Sequence, residues 1–330
     1  MKWLLILILL ASVSVTVTAD DLLGAWIGAM QENDLVVRTD RHYTQGLKLT
    51  YLSAESSTKY ARWADCLPDL QGRFATARWG WSIGQNIYTP TDITLKTLQP
   101  NDRPYAGWLY TSLLLQRHGE TEAHRALLDN WQLDLGIVGP EALGELAQNT
   151  VHRLRNFGLA QGWANQINSQ PGVNLKYLRT WRYVTGNSDD WETQFLPHAG
   201  ASLGSVQTYA AAGGTLRAGW RLPRDFGVQT VDSLYPGSGG RPSDATHYLG
   251  TYVFAGVEGR AMAYNTFLDG GLFHNDPSVP KHPFVGDLKL GWVITLKHAD
   301  LGYTQIIRSK EFAGQKGVDA FGSLALTLKW

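Results

Sequence analysis

The sequence predicts an all-β protein, a closed and antiparallel transmembrane β-barrel of about twelve strands with a short extracellular helix in its third outer loop. Three observations support this fold class. Apolar and polar residues alternate in many short segments along the chain. The composition includes 13 Trp, 14 Tyr and 35 Gly, and the last alternating segment ends on Trp330. Outer-membrane barrels have girdles of aromatic residues at both membrane interfaces, so a high aromatic content is typical of this fold.

The first 19 residues predict a secretory signal peptide, and residues 20–330 then form the barrel. Lys2 precedes an apolar run that continues to Ala11, and small residues lead to Ala19, after which cleavage is expected. No later stretch approaches the ~20 apolar residues that a spanning helix needs. A signal peptide followed by a barrel predicts a protein of the cell outer membrane.

Charge and cysteine content exclude several kinds of function. The formal net charge is zero, so bulk attraction to nucleic acid is not expected. Cys66 is the only cysteine, which excludes an intramolecular disulfide and a zinc site built on thiolates. The sequence also lacks the Gly-x-Ser-x-Gly, His-Glu-x-x-His and phosphate-loop motifs of common enzyme families.

The strands follow from the alternation. Near the C-terminus, Leu288, Leu290 and Trp292 lie on one face of a segment, and Asp287 and Lys289 lie on the other. Strands are predicted at 22–33, 44–53, 73–87, 104–117, 128–139, 174–184, 191–205, 207–221, 248–265, 284–297, 299–311 and 320–330. An even number is typical of a bacterial barrel. A soluble β-sandwich alternates in the same way, so the pattern alone leaves that architecture open.

Strand parity predicts where the polar clusters of the chain lie. If the mature N-terminus is periplasmic, odd strands run outward and end at the outer rim. Polar clusters that meet at this rim are then 32–46, 85–90, 102–105 and 139–140. By the same parity, the irregular loop 222–247, which is rich in Gly and Pro, is periplasmic.

The third outer loop contains one convincing helix. Pro140 stands near its start and Gly158 follows its end, as is usual for these residues. Residues at helical spacing form an apolar stripe that is expected to pack on the barrel rim: Leu143, Leu146, Ala147, Val151 and Leu154. The other side, expected to face water or a cleft, carries Glu145, Gln148, Asn149, His152 and Asn156.

Several of these polar residues have chemistry that suits a site. His152 is a candidate general base, because histidine titrates near neutrality, although a surface histidine on an amphipathic helix is the simpler interpretation. Oxygen donors of the type that calcium prefers are Asn33, Asp34, Asp40 and Thr44, and an Asn- and Asp-rich turn has the same composition.

Two cations of the second outer loop are candidates for anion binding. Lys96 and Arg103 are suited to hold a phosphate or a carboxylate by charge-assisted hydrogen bonds. The alternative is a solvated loop in which Lys96 and Arg103 pair with carboxylates of the same loop.

Taken together, the motifs resemble the lipid A 3′-O-deacylase family of Gram-negative outer membranes. They are Glu-Asn-Asp at 32–34, Thr-Asp-Arg-x-Tyr-Thr-x-Gly at 39–46, Gln-Asn-Ile-Tyr-Thr-Pro at 85–90, Asp-Arg-Pro-Tyr-Ala-Gly-Trp at 102–108, Gly-Ile-Val-Gly-Pro at 136–140, and Gln-Asn-x-x-His at 148–152 followed by Gly-Trp-Ala-Asn-Gln at 162–166. The resemblance covers essentially the whole mature chain and is densest over 24–166.

The resemblance implies a twelve-stranded outer-membrane barrel that removes the 3′-linked acyl groups of lipid A and depends on calcium. In the family chemistry a histidine activates water and calcium stabilises the oxyanion. By position, the base is His152, and Gln148 lies one helical turn before it to orient it. The essential polar groups at the rim are Asn33, Asp34 and Thr44, with Asp34 as the expected metal ligand.

The resemblance also implies the partners and the remaining site residues. The expected substrate is lipid A or lipopolysaccharide, taken from the outer leaflet by a monomer that also contacts outer-membrane lipid. The residues expected to bind substrate are Tyr43, Lys96 and Arg103.

Two departures from the family pattern leave alternatives open. Members of the family can carry an acidic residue six positions after the histidine, and here that position is Gly158. The basic pair expected in the second outer loop is reduced, with Lys96 as the nearest candidate. A barrel phospholipase with a Ser/His site and a non-catalytic structural or transport barrel therefore remain as alternative hypotheses.

Overall fold

The computed structural model describes residues 24–34, 42–55, 67–123, 125–188, 190–231, 234, 237 and 249–330. The predicted signal peptide lies outside these residues. So do the candidate calcium donor Asp40 and most of 232–248 in the predicted irregular loop.

Thirteen β-strands and two α-helices make up the described chain. The strands are β1 (Trp26–Asn33), β2 (His42–Leu52), β3 (Gly72–Thr89), β4 (Ala106–Thr121), β5 (Ala126–Val138), β6 (Gln170–Trp181), β7 (Tyr183–Ser188), β8 (Trp191–Gly204), β9 (Gln207–Trp220), β10 (Leu249–Asn265), β11 (Phe284–Leu296), β12 (Ala299–Arg308) and β13 (Asp319–Lys329). The helices are α1 (Gly144–Arg155) and α2 (Thr266–Asp269), and short 3-10 turns occur at Pro140–Ala142 and Trp163–Asn165.

The strands form one closed antiparallel sheet. Consecutive strands pair with each other except β6 and β7, which both pair with β8, and β1 pairs with β13. Only Arg182 separates β6 from β7, and both strands pair with β8, so together they form one span. The barrel therefore has twelve spans, which confirms the predicted fold and number.

The two faces of the wall show that this is a barrel with a polar interior. Along β10 and β11, Glu258, Arg260 and Asp287 point inward and are buried. The outward neighbours Val253 and Val257 are exposed by 63% and 60%. A soluble sandwich would bury the apolar face, whereas a membrane barrel presents it to lipid. No helix in the described ranges is long and apolar enough to cross a membrane.

The connection after β9 folds back into the barrel. Its described part, 221–231 with Leu234 and Gly237, is called here the luminal segment. Its hydrogen bonds cross the lumen: Gln229 Nε2 donates to Thr327 Oγ1 of β13 (3.0 Å), and Asn130 Nδ2 of β5 donates to the Leu234 carbonyl (3.1 Å). The connection is irregular, as predicted, but its described part occupies the lumen.

The two ends of the barrel differ. At one end β1, β3 and β5 finish, and the longer connections that follow them include α1; this is called here the helix end. The first and last described residues meet at the other end, where the Gly24 amide donates to the Trp330 carbonyl (2.6 Å). The described parts of the polar clusters predicted to share one rim do lie together at the helix end.

Candidate active site

Three polar side chains turn outward from neighbouring strands at the helix end. Residues of β1 alternate between lumen and outer wall, and Glu32 points inward, so Asn33 points outward. Asn33 Nδ2 donates to the Thr44 carbonyl of β2 (3.1 Å), and the hydroxyls of Thr44 and Thr89 are 2.7 Å apart. All three residues are buried although they lie on the outer side of the wall. Protein atoms therefore cover these three side chains on the outer side of the wall.

A β-bulge gives Thr44 its outward direction. The register of β2 against β3 shifts between Tyr43 and Gln45, so Thr44 is the extra residue. Tyr43 then faces the lumen, and the next side chain turns outward to Thr89. Strict alternation would have placed Thr44 inside, so the sequence pattern did not predict this geometry. Thr89 was also missed as a site residue, although it belongs to the motif at 85–90.

The donors around Asp34 are of the kind that a calcium ion takes. Asp34 directly follows β1 and its side chain is buried. The neighbouring Asn33 amide and Thr44 hydroxyl are also hard oxygen donors. Within the described ranges, no three His, Cys, Asp or Glu side chains come together as metal ligands. A calcium ion here would have Asp34 as its one carboxylate ligand from the described residues, and amide, hydroxyl, carbonyl or water oxygens, which calcium also accepts, would complete its shell.

Helix α1 lies against the outer wall. Gln85 Nε2 of β3 donates to the Ala142 carbonyl just before the helix (2.6 Å). After the helix, Trp163 packs on Tyr105 with ring centroids 4.9 Å apart and shares a buried cluster with the outward-facing Ile87. The helix is shorter than predicted because Asn156 adopts a left-handed conformation (φ 57°) at its C-cap.

The helix buries the opposite face from the one predicted. The expectation that the stripe of Leu143, Leu146 and Leu154 packs on the rim is wrong, because all three residues are exposed. The buried face carries Gln148, Asn149 and His152. These polar groups find partners in the following segment, which offsets the cost of removing them from water.

The buried face is held by hydrogen bonds to residues 158–163. Trp163 Nε1 donates to Gln148 Oε1 (2.9 Å), and the Ala160 amide donates to Asn149 Oδ1 (2.9 Å). Gln148 Nε2 has no hydrogen-bond partner among the described residues. The side chain of Gln148 therefore positions Trp163 through its oxygen and presents a buried donor through its nitrogen.

His152 has the tautomer that a general base needs. Its Nδ1 lies 2.5 Å from the Gly158 carbonyl, which only accepts hydrogen bonds. The ring proton of the neutral imidazole therefore resides on Nδ1, and Nε2 is the basic nitrogen. The side chain is buried against Phe157, whose ring is perpendicular to the imidazole at 5.9 Å.

A family model described as outer membrane protein LpxR matches residues 4–330. The chain belongs to the LpxR family. The structure of LpxR from Salmonella typhimurium superposes with a TM-score of 0.71 at 22% identity, covering 92% of this chain and 100% of that chain. The β domain of the Bordetella autotransporter BrkA gives a TM-score of 0.41 at 10% identity, covering 93% and 99%. No curated protein matches the chain.

Membership of the LpxR family confirms the family that the motifs indicated, the lipid A deacylases, and places the protein in the outer membrane. The likeness to Salmonella LpxR supports the barrel fold over nearly the whole chain.

Two of the three residues predicted to bind substrate lie inside the LpxR-family barrel. The Tyr43 hydroxyl donates to Glu32 Oε2 within the lumen (2.8 Å). Arg103 is buried, donates from Nη1 to Glu311 Oε2 (3.1 Å) and covers the Tyr88 ring at 4.6 Å. Neither side chain is placed to contact a lipid at the outer wall, because its polar groups are directed inward.

Lys96 is the predicted cation that remains accessible. It lies exposed in the connection between β3 and β4. Asn165 Nδ2 donates to the Lys96 carbonyl (2.8 Å), which ties this connection to the segment that follows α1.

Gly158 leaves space where other family members can carry an acid. A Cβ atom built on Gly158 would meet no atom within 4 Å. The Gly158 carbonyl holds His152, so this position lies directly beside the candidate base. Glycine at position 158 therefore lacks the carboxylate expected from the family pattern, but its backbone carbonyl still bonds to His152.

Proposed function

We propose that the protein hydrolyses the 3′-linked acyl or acyloxyacyl ester of lipid A at the outer face of the outer membrane. The observation that carries the proposal is the location of His152. It is buried on the wall-facing side of α1, at the same end of the barrel where Asn33 and Thr44 turn outward. Family membership supports the substrate class.

In the proposed reaction, His152 Nε2 removes a proton from water while the water oxygen bonds to the ester carbonyl carbon. The Gly158 carbonyl accepts a hydrogen bond from Nδ1–H, which keeps its proton, and stabilises the imidazolium that forms. Collapse of the tetrahedral intermediate breaks the bond to the 3′ oxygen, which takes the proton back from Nε2. The products are a free fatty acid and a lipid A with a 3′ hydroxyl.

Other residues bind and orient. Calcium, held by Asp34 with oxygens of Asn33 and Thr44, would supply the positive charge that an oxyanion needs. Lys96 is accessible for a sugar phosphate or an inner-core acid. The buried donor Gln148 Nε2 is available to a substrate or water oxygen between the helix and the wall.

The test is the lipid A mass spectrum of cells that express the protein or its His152→Ala variant. The wild type should remove the 3′ chains and the variant should not, while both show the same heat-dependent mobility of a folded barrel. His274→Ala, in the exposed connection between β10 and β11, is the matched control and should behave as wild type. Undiminished loss of 3′ chains in His152→Ala would contradict the proposal.

A transport barrel is less well supported. The luminal segment bonds to both sides of the barrel interior, through Gln229 and Thr327 on one side and Asn130 and Leu234 on the other. The described part of the connection crosses the polar lumen, whereas His152 and the outward polar groups lie at the outer wall, which is therefore the more suitable place for a function.

A further inference from the structure

The outward side of α1 and the residues after it form an exposed apolar surface. It consists of Leu143, Leu146, Leu154, Phe157 and Leu159, and is called here the leucine face. Leu146 and Leu154 are exposed by 59% and 65%, more than most residues of the barrel wall. Exposure of this much apolar surface to water is unfavourable by about 25 cal/mol per Å². Such a patch typically marks contact with a partner or a membrane.

The leucine face continues the lipid-facing wall. Helix α1 packs over the outer side of β3 and β4 near their helix ends, through Gln85 and Ile87. The same two strands expose Ile83 and Leu113 farther along the wall. The exposed apolar surface of the outer wall therefore continues from the strands onto the helix.

An arginine next to the leucine face suits a membrane interface. Arg153 follows Leu146 by seven positions and precedes Leu154, so it borders this face, and it is exposed. An arginine beside a leucine stripe can keep its charge among lipid phosphates while its stem lies on apolar surface. The polar face of the helix, with His152, is buried on the other side.

We propose that the leucine face is a lipid-docking surface that lies against the acyl chains of the leaflet at the helix end. Docking holds the cleft between α1 and the wall beside the upper part of those chains, so that an acyl ester enters it sideways. The docking itself is independent of the proposed function, and only its effect on turnover rests on that function.

Depth-dependent fluorescence quenching tests the docking directly. Because Cys66 is the only cysteine, a Cys66→Ser background allows one bimane label each at Leu146→Cys and Leu154→Cys. Leu113→Cys on the barrel wall is the positive control, and Lys316→Cys in the exposed connection between β12 and β13 is the negative control. The protein is reconstituted in phosphatidylcholine vesicles that contain lipids spin-labelled on their acyl chains.

Labels at 146 and 154 should be quenched as strongly as the label at 113 and several-fold more strongly than the label at 316. Quenching no stronger than at 316 would overturn the proposal.

Turnover gives a second readout. The double variant Leu146→Asp/Leu154→Asp should lose at least about tenfold of its activity on lipid A in vesicles, since charges would enter the hydrocarbon layer. Its activity on lipid A in detergent micelles should change less than about twofold. Lys316→Asp should leave both activities unchanged.

An equal loss in vesicles and micelles would count against docking. A wild type that is inactive in both media would contradict the proposed function and leave the quenching result to decide the docking.

Discussion

The inner and outer faces of β1, β2 and β3 at the helix end are built from adjacent residues and serve different purposes. On the inner face, Glu32 accepts hydrogen bonds from the Tyr43 hydroxyl (2.8 Å) and from the Val231 amide of the luminal segment (2.7 Å). Tyr43 also packs against Tyr88, with ring centroids 5.5 Å apart. This face joins the wall to the luminal segment.

The outer face consists of the next residue on each strand. Asn33 donates to the Thr44 carbonyl, the Thr44 hydroxyl bonds to the Thr89 hydroxyl, and α1 with His152 lies on the same outer side of the wall. Successive side chains of a strand point to opposite faces, so one step along the chain separates the lumen from the candidate site. Substitutions of inward-facing residues should therefore lower stability, and substitutions of their outward-facing neighbours should lower activity.

The largest effect is expected from Asp34→Ala, at the residue that follows the outward-facing Asn33. Loss of the proposed metal ligand should lower deacylation by about 10²–10³, the usual cost of losing an oxyanion contact. The urea midpoint of the refolded barrel should stay close to wild type. Rates come from mass spectrometry of lipid A over time, and Asp92→Ala, in the exposed connection between β3 and β4, is the matched control. Full activity of Asp34→Ala would remove this carboxylate from the site.

The inner face should respond in the opposite way. Glu32→Ala leaves the Val231 amide and the Tyr43 hydroxyl without this acceptor, and should destabilise the barrel by about 1–3 kcal/mol in urea unfolding. Its activity at low temperature should fall much less than that of Asp34→Ala. Tyr43→Phe, which removes only one of the two hydrogen bonds, should cost about 1 kcal/mol. A large loss of activity with unchanged stability would show that the two faces are not separate.

A smaller effect is expected at the bulge. Thr44→Val keeps the shape of the side chain and removes the hydroxyl that bonds to Thr89, so activity should fall roughly fivefold, in line with a hydrogen bond of about 1 kcal/mol. Thr44→Ser keeps the hydroxyl and should retain most of the activity. Equal rates for Thr44→Val and wild type would mean that only the Thr44 backbone carbonyl matters.

The smallest effect is expected at Gly158. The open space beside this residue admits a carboxylate, and Gly158→Asp should raise the apparent affinity for calcium by a few-fold, about 1 kcal/mol of added attraction. The measurement is deacylation during a calcium titration that starts from excess chelator, where no activity is expected. Gly158→Asn has nearly the same shape without the charge and should match wild type. Full activity in excess chelator would remove calcium from the mechanism.

Much of the fold was readable from the sequence because a membrane barrel repeats one simple rule. Period-two alternation located all twelve spans, and the largest error was at the interrupted span of β6 and β7, predicted as 174–184 and observed over 170–188. Strand parity also predicted that the polar clusters lie at one end of the barrel. Parity is sufficient for this, because each hairpin reverses the chain direction.

The direction of individual side chains was less predictable. The bulge that turns Thr44 outward and Tyr43 inward leaves no mark in an alternating pattern. Arg103 appeared to be a loop cation, but its ion pair with Glu311 of the connection between β12 and β13 depends on a contact across 208 positions of sequence. Such contacts depend on barrel closure, which local patterns do not encode.

The sequence by itself determined the barrel, its family and the presence of His152 on a helix after the fifth strand. Only the tertiary structure decided which face of that helix is buried and that the luminal segment lies inside the barrel. The physical reason is that amphipathic patterns report two faces but not their surroundings. In water the apolar face is buried, whereas on the wall of a membrane barrel the polar face packs inward and the leucine face is left to lipid.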